Sequence, residues 1–473
     1  MNEKQDTRDK LLNGNVFRTM LSLSVPAILG MVVIGLYNFM DAVFVGRMVS
    51  PEAMTAVKVS YPFTLLNSGI ATLIGTGSAS VLSRAVGRKD QGTINQIMGN
   101  LIALIVLLSL IVTAVGEIFT TGLLSLAGAK GEILTQAERY LRVVFIGSLF
   151  VNFAQSANMV MRGEGKLKIA MGIMAAGALL NIALDPLLIS LMGRENGVLG
   201  AAWATVISQV LQAVFTLWYF RKKSENVRIH RIRIHGSLVG QVLGVGVSAM
   251  LMQVMTMVQQ TVMYNTVERW GGGAWQTVLG ACLSLQAFSF IPLWGISQGF
   301  QPAIGTNYGA KQYDRVRSFT KVFMAAATVL ALVFYLPVML APQSMLGMFI
   351  TDPAICEQGA PMLQVLFTTY ICYGVLVLAI TFFQAVGKAA AASAMALLRQ
   401  VLLFLPLVVL LPNIFTVPVY GVFYAQMFTD LAVLMIGIVL LIRAFGIIRK
   451  EEGYQSGRER KPDGYSAGSQ PAV

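Results

Sequence analysis

The chain is 473 residues long, 56% hydrophobic and only 12% charged, with a mean hydropathy of +0.68. A soluble domain carries about 25% charged residues, so a soluble globular fold is excluded. A transmembrane β-barrel, which would alternate apolar and polar residues over segments of about 10, is excluded too. The formal net charge of +13 invites a nucleic-acid partner. Its distribution, clustered on alternate loops between apolar runs, argues against one.

In chain order, residues 1–16 form a polar arm with Lys4, Arg8 and Lys10. No cleavable signal peptide is expected there, because the apolar run that follows is too long and lacks a small-residue cleavage site. Twelve apolar segments then read as membrane-spanning helices, at 17–44, 54–83, 97–121, 137–161, 168–191, 198–220, 237–264, 277–304, 320–342, 361–385, 391–412 and 419–444. Several runs of about 20 residues carry almost no charge, enough to cross a bilayer. Residues 221–236 are a basic linker with Arg221, Lys222, Lys223, Arg228, Arg231 and Arg233. The tail, 446–473, is polar, and order is expected to end after Arg449.

Basic residues recur on every second loop, and 28 of the 35 Lys and Arg lie on one side of this plan. The positive-inside rule therefore places both termini and the linker in the cytoplasm.

The twelve segments are written twice. Gly87-Arg-Lys89 returns as Gly309-Ala-Lys311, Arg162-Gly-Glu-Gly-Lys166 as Gln384-Ala-Val-Gly-Lys388, and Tyr140-Leu141 with Phe145 as Met362-Leu363 with Phe367, always 222 positions later. Gly200-Ala-Ala-Trp-Ala204 returns as Gly421-Val-Phe-Tyr-Ala425 after 221. The expected fold is thus an all-α polytopic membrane protein. Its two lobes of six helices each, 17–220 and 237–445, are related by a pseudo-twofold axis along the membrane normal. A substrate site between such repeats is a common transporter plan.

Ionisable groups inside spans cost energy and need a reason. Asp41 in span 1 shares a helical face with Tyr37 and Asn38. Carboxylate, phenol and amide together can bind a cation or trade a proton; the alternative is an interfacial acid. In span 5, Asn181 and Asp185 lie one turn apart, and Pro186 removes a backbone hydrogen bond beside them. That set suits Na⁺ or a proton-loaded carboxyl; the alternative is a kink with its acid at the interface. Arg399 and Asp430, in spans 11 and 12, are expected to pair, the alternative being that each is satisfied separately. Among neutral polar residues in spans, Asn158, Gln253 and Gln260, with Asn38, are candidates to line a substrate cavity, although interhelical hydrogen bonding is the commoner role. Cys282, Cys356 and Cys372 read as apolar packing residues, and His230 and His235 as solvated loop residues. Nothing suggests a phosphate-binding loop, a zinc motif, a cofactor or an enzyme.

These motifs resemble the multidrug and toxic compound extrusion family over about 15–445. The resemblance rests on Pro26, Leu36-Tyr-Asn-Phe-Met-Asp-Ala-Val-Phe-Val-Gly46 and Ala85-Val-Gly-Arg-Lys-Asp90. It continues with Arg162-Gly-Glu-Gly165, Asn181-Ile-Ala-Leu-Asp-Pro186, and Arg399-Gln-Val with Pro406 and Asp430. It implies two six-helix lobes in a V and export of amphipathic, mostly cationic drugs against H⁺ or Na⁺, with Thr205 joining Asp41, Asn181 and Asp185 at the coupling site. It also implies a bacterial plasma membrane, and a monomer suffices. One branch of the family has carboxylates in spans 7 and 10. Here span 7 offers Gln253, Gln259 and Gln260 with Glu268 at its end, and span 10 has no acid. The coupling chemistry is therefore placed in the amino-terminal lobe. A flippase for a lipid-linked saccharide, of the same superfamily, is the rival and would need a cationic cavity.

Overall fold

A computed structural model describes residues 3–126, 129–224, 227–350 and 352–459. Within it the side chains of residues 3–7, 37–39, 41–43, 46–47, 51–52, 54, 58, 126, 194–195 and 448–459 lie outside the description. The described residues are almost entirely helical, with eleven helices long and apolar enough to cross a membrane. The longest, Gly236–Gly309, holds two spans, because its helical geometry breaks at Gly272 (φ 70°, ψ −169°), a conformation open only to glycine. That break restores the twelve expected spans. A similar break at Gly193 divides spans 5 and 6, Leu167–Gly193 and Asn196–Lys223.

The helices outrun the expected limits. Span 2 runs over Pro51–Arg88, span 3 over Gln91–Leu126, span 4 over Gly131–Gly163 and span 9 over Tyr313–Leu340. Hydropathy marks only the apolar part, while intrahelical hydrogen bonds carry each helix on into the polar interface. The last helix, Pro418–Glu459, passes Arg449, where order was expected to end. The next proline is Pro462, and the Arg-Lys-Glu-Glu run before it favours helix.

The duplication is visible in the backbone. Lys89 and Lys311 both adopt φ 59°, and Gly165 (φ 87°) matches Gly387 (φ 80°), each pair 222 residues apart. These are the turns after spans 2, 8, 4 and 10, where each chain reversal uses the left-handed conformation.

The repeats meet at the end that carries the basic loops. A Cβ on Gly87 would overlap the Thr306 carbonyl, and one on Gly309 would overlap the Arg84 carbonyl. The contact is reciprocal, since 84 and 87 become 306 and 309 on adding 222. Hydrogen bonds reinforce it: Ser80 Oγ donates to the Gln384 carbonyl, Arg84 Nη1 to the Val386 carbonyl (3.3 Å), and Arg162 Nη1 to Gln298 Oε1 (2.6 Å). The arm contains a short helix, Glu3–Asn13, strapped across both lobes. Arg8 donates to the Val86 and Gly87 carbonyls at 3.1 Å each, while Asn307 and Arg315 hold the Leu11 carbonyl at 3.0 and 3.1 Å. Leu11 and Leu12 are buried beneath it. The linker presses on span 3, where His235 N–H donates to Asn100 Oδ1 at 3.0 Å.

Candidate functional site

A cavity of about 470 Å³ lies within the amino-terminal lobe, between spans 1, 2, 4, 5 and 6. Ile34 and Val45 line it from span 1, Tyr61 and Asn67 from span 2, Gln155 from span 4, Asn181 from span 5, and Thr205, Gln209 and Gln212 from span 6. The lining residues among those described are all uncharged. A mostly apolar wall with a few convergent polar groups suits a small organic ligand, and the volume lies in the usual range of about 300–1,000 Å³.

Asp185 sits behind this wall, completely buried. Asn181 Nδ2 donates to its Oδ1 at 3.3 Å and reaches the Thr205 hydroxyl at 3.4 Å. With the amide turned over, the nitrogen lies 3.2 Å from Asp185 Oδ2 and the oxygen accepts from the Thr205 N–H at 3.2 Å. In either orientation Asn181 links the acid to span 6 and to the cavity. The i, i+4 spacing of Asn181 and Asp185 stacks them on one helical face. Pro186 deprives the Ile182 carbonyl of its helical donor. Carboxylate, amide, hydroxyl and freed carbonyl oxygens are hard donors of the kind that bind Na⁺, and the carboxylate alone can take a proton.

The carboxy-terminal lobe is built differently. Arg399 Nε donates to Asp430 Oδ1 at 2.7 Å, and Gln426 Nε2 to Asp430 Oδ2 at 2.9 Å. The guanidinium carbon lies 4.7 Å from the centre of the Tyr373 ring, a cation–π contact. Gln259 donates to Gln426, and Gln400 Nε2 to Thr256 Oγ1 at 2.6 Å. Arg399 stands in a π-helical turn, Leu398–Leu402, whose extra residue bulges from the helix.

The sequence profile of the MatE family matches residues 26–187 and again 248–410. The chain belongs to the MatE family. The two matched stretches repeat the internal register, since 26 and 248 are 222 apart. The multidrug export protein MepA of Staphylococcus aureus strain MRSA252 is 28% identical over 432 residues, covering 90% of this chain and 94% of MepA. MepA of Staphylococcus saprophyticus is also 28% identical, over 91% of this chain and 94% of its own. Among solved structures, an outward-facing conformation of a multidrug resistance MATE family transporter of the MOP superfamily superimposes with a TM-score of 0.87. It is 22% identical, and the match covers 93% of this chain and 98% of that one. The fold is therefore the two-lobe, twelve-helix MATE architecture of multi-pass membrane transporters, a family of carriers rather than enzymes.

Within that MatE frame the expected residues fall in several places. Asn181, Asp185 and Thr205 come together at the cavity, and Arg399 meets Asp430. The side chains of Tyr37, Asn38 and Asp41 lie outside the described residues, while Ile34 and Val45 of the same helix line the cavity. Three expected cavity residues are placed elsewhere. Asn158 is buried and donates to the Ala170 carbonyl at 2.7 Å, tying span 4 to span 5. Gln253 bridges the lobes, donating to the Leu65 carbonyl and Ser68 Oγ at 3.2 Å each and accepting from Thr72. Gln260 is exposed on span 7. An amide in an apolar span looks the same in sequence whether it faces a cavity or a neighbouring helix. Asn67, Gln155 and Gln212 were missed for that reason, and the phenols of Tyr61 and Tyr140 carry no clearer mark. Gln426 had a usable signal, since it stands one turn before Asp430.

Proposed function

We propose that this protein exports amphipathic, mostly cationic organic compounds across the bacterial plasma membrane in exchange for H⁺ or Na⁺. The observation that carries the reading is the pairing of a drug-sized cavity, lined by uncharged described residues, with a buried carboxylate one side chain behind its wall. Asp185, relayed through Asn181 and Thr205, holds the coupling cation in one state and gives it up in the other. Asp41, one turn before the cavity-lining Val45, is the second acid of the site. A bound cation neutralises the acid; a cationic substrate in the cavity does the same work from the other side of Asn181, so the two compete. Only ligands with different affinities for two states can drive the change between them.

The basic loops are cytoplasmic in this reading, and both termini with them. The seam of Gly87 and Gly309 is then the closed cytoplasmic gate, and transport requires it to part. The relatives' names, multidrug export proteins, support the substrate class. A saccharide-lipid flippase fits less well, because phosphates need a cationic wall and no Lys or Arg is among the described lining residues.

The test is efflux of a cationic dye from proteoliposomes under separately imposed Na⁺ and H⁺ gradients. Transport driven by one of them is expected. Equal transport with neither gradient contradicts the exchange.

A further inference from the structure

Every position of the amino-terminal cavity has a counterpart in the second repeat. The offset is 222 through span 4 and into span 5, where Lys166 and Lys388 occupy the same N-cap position. In span 6 it is 221, and the packing keeps that register. A Cβ on Gly200 would overlap the backbone of Leu188, and one on Gly421 the backbone of Leu411. The offset from Leu188 to Leu411 has grown to 223, the single residue added by the π turn at Leu398–Leu402.

With this register, cavity-lining Val151, Gly177, Thr205 and Gln209 correspond to Tyr373, Arg399, Gln426 and Asp430. All four counterparts belong to the buried carboxy-terminal network. Where the first lobe has a glycine in the cavity wall, with the Gln212 side chain lying against it, the second has an arginine. Its side chain crosses to residues whose images form the facing walls of the cavity. There the guanidinium meets a carboxylate at 2.7 Å, held in turn by Gln426 at 2.9 Å, and an aromatic face at 4.7 Å. Carboxylate plus aromatic face is the pairing that receives a planar organic cation.

We infer that the carboxy-terminal lobe contains a second organic-cation site, the repeat image of the amino-terminal cavity, with the Arg399 guanidinium as its built-in occupant. The ligand class is the guanidinium ion and its small alkyl derivatives. The inference goes beyond the proposed exchange at Asp185 and does not depend on it, since it rests on the repeat register and on contacts within the other lobe.

The test copies the first lobe into the second. Arg399→Gly, purified as the full chain in detergent, exposes an empty site with a lone buried carboxylate and unfolds at a lower temperature than the wild type. Millimolar ethylguanidinium, far below denaturing concentrations, is expected to recover about half or more of the lost Tm by mass action. Ethylurea, neutral and similar in shape, is expected to recover none of it. Arg399→Gly with Asp430→Leu removes the anchoring charge and is expected to lose the ethylguanidinium response. Because Arg399→Gly leaves a buried carboxylate without its cation and lowers folding yield, the yield of folded protein from cells grown with and without ethylguanidinium is a second readout. Absence of a guanidinium-dependent gain in both Tm and yield overturns the inference, as does equal rescue by ethylurea or rescue that survives Asp430→Leu.

Discussion

The two lobes use one fold to treat a buried acid in opposite ways. In the amino-terminal lobe Asp185 has an amide, Asn181, between itself and a cavity. In the carboxy-terminal lobe Asp430 has a guanidinium on one oxygen and an amide on the other. An amide neighbour leaves the acid able to change its charge by binding a proton or metal ion. A guanidinium at 2.7 Å fixes the charge, because neutralising the acid would strand a buried cation. The acids are not at equivalent positions. Asp185 maps onto Val408 and Asn181 onto Phe404, both fully buried apolar residues, whereas Asp430 maps onto Gln209. Duplication supplied two similar scaffolds, and substitution at a handful of inward positions left one acid beside an amide and a cavity and the other paired with a guanidinium.

The strongest way to break this contrast is to neutralise each acid in turn. Asp185→Asn is expected to abolish gradient-driven dye efflux while the protein stays folded and inserted, because an amide keeps the shape and cannot exchange a cation. Asp430→Asn is expected to lower stability first and transport only in proportion. Efflux assays beside detergent melting curves separate the two. Normal transport by Asp185→Asn under both gradients would make that acid structural.

Next in size is the ion pair itself. Removing one partner, by Arg399→Met or Asp430→Leu, is expected to cost about 3–5 kcal/mol, and the double substitution less than either alone, because no lone charge then remains buried. A double-mutant cycle on thermal stability reads the coupling, and strict additivity would deny it.

The lobes also compare across their seam. Gly87→Ala or Gly309→Ala places a methyl group against the opposing carbonyl, at an expected cost of about 1–3 kcal/mol to the closed arrangement. The population with the gate parted should rise, read as faster thiol labelling of Ser80→Cys from the side of the basic loops. Unchanged labelling would mean the seam yields without opening.

The smallest contrast is at the turns after spans 2 and 8. Asp90 caps span 3, accepting from Thr93 N–H at 3.1 Å and from its hydroxyl at 2.8 Å; these bonds hold its carboxyl below the usual carboxylate range. Its counterpart Gln312 makes no side-chain cap. Asp90→Ala is expected to cost about 1 kcal/mol, and Gln312→Asp to add a similar amount. Since the folded-state value is the lower one, the Asp90 contribution is present above the unfolded carboxyl's range and fades as pH falls through the folded value. Melting curves of wild type and Asp90→Ala should therefore converge in acid.

The twelve spans, the duplication and the two-lobe fold were legible because each rests on a signal that survives without tertiary context: apolar length, a fixed offset, loop charge. The reach of the helices beyond the apolar core was not, since hydropathy does not report hydrogen bonding at the interface. Asn181 and Asp185 stood out because their spacing puts them on one face beside a proline. Asn158 and Gln253 misled because a neutral amide carries no mark of which neighbour it faces. That Arg399 fills the image of a cavity required knowing which positions line the cavity in the other lobe.

In the proposed exchange, substrate and coupling cation compete through Asp185. The most direct measurement is cation release on substrate binding, made with detergent-purified protein in weakly buffered solution, once with Na⁺ present and once without. Binding of a cationic dye should release about one H⁺ or one Na⁺ per molecule bound in the wild type, by the reciprocity of linked binding, and none in Asp185→Asn. Release that persists unchanged in Asp185→Asn, or dye binding with no release from the wild type, would mean that substrate and cation do not compete at Asp185.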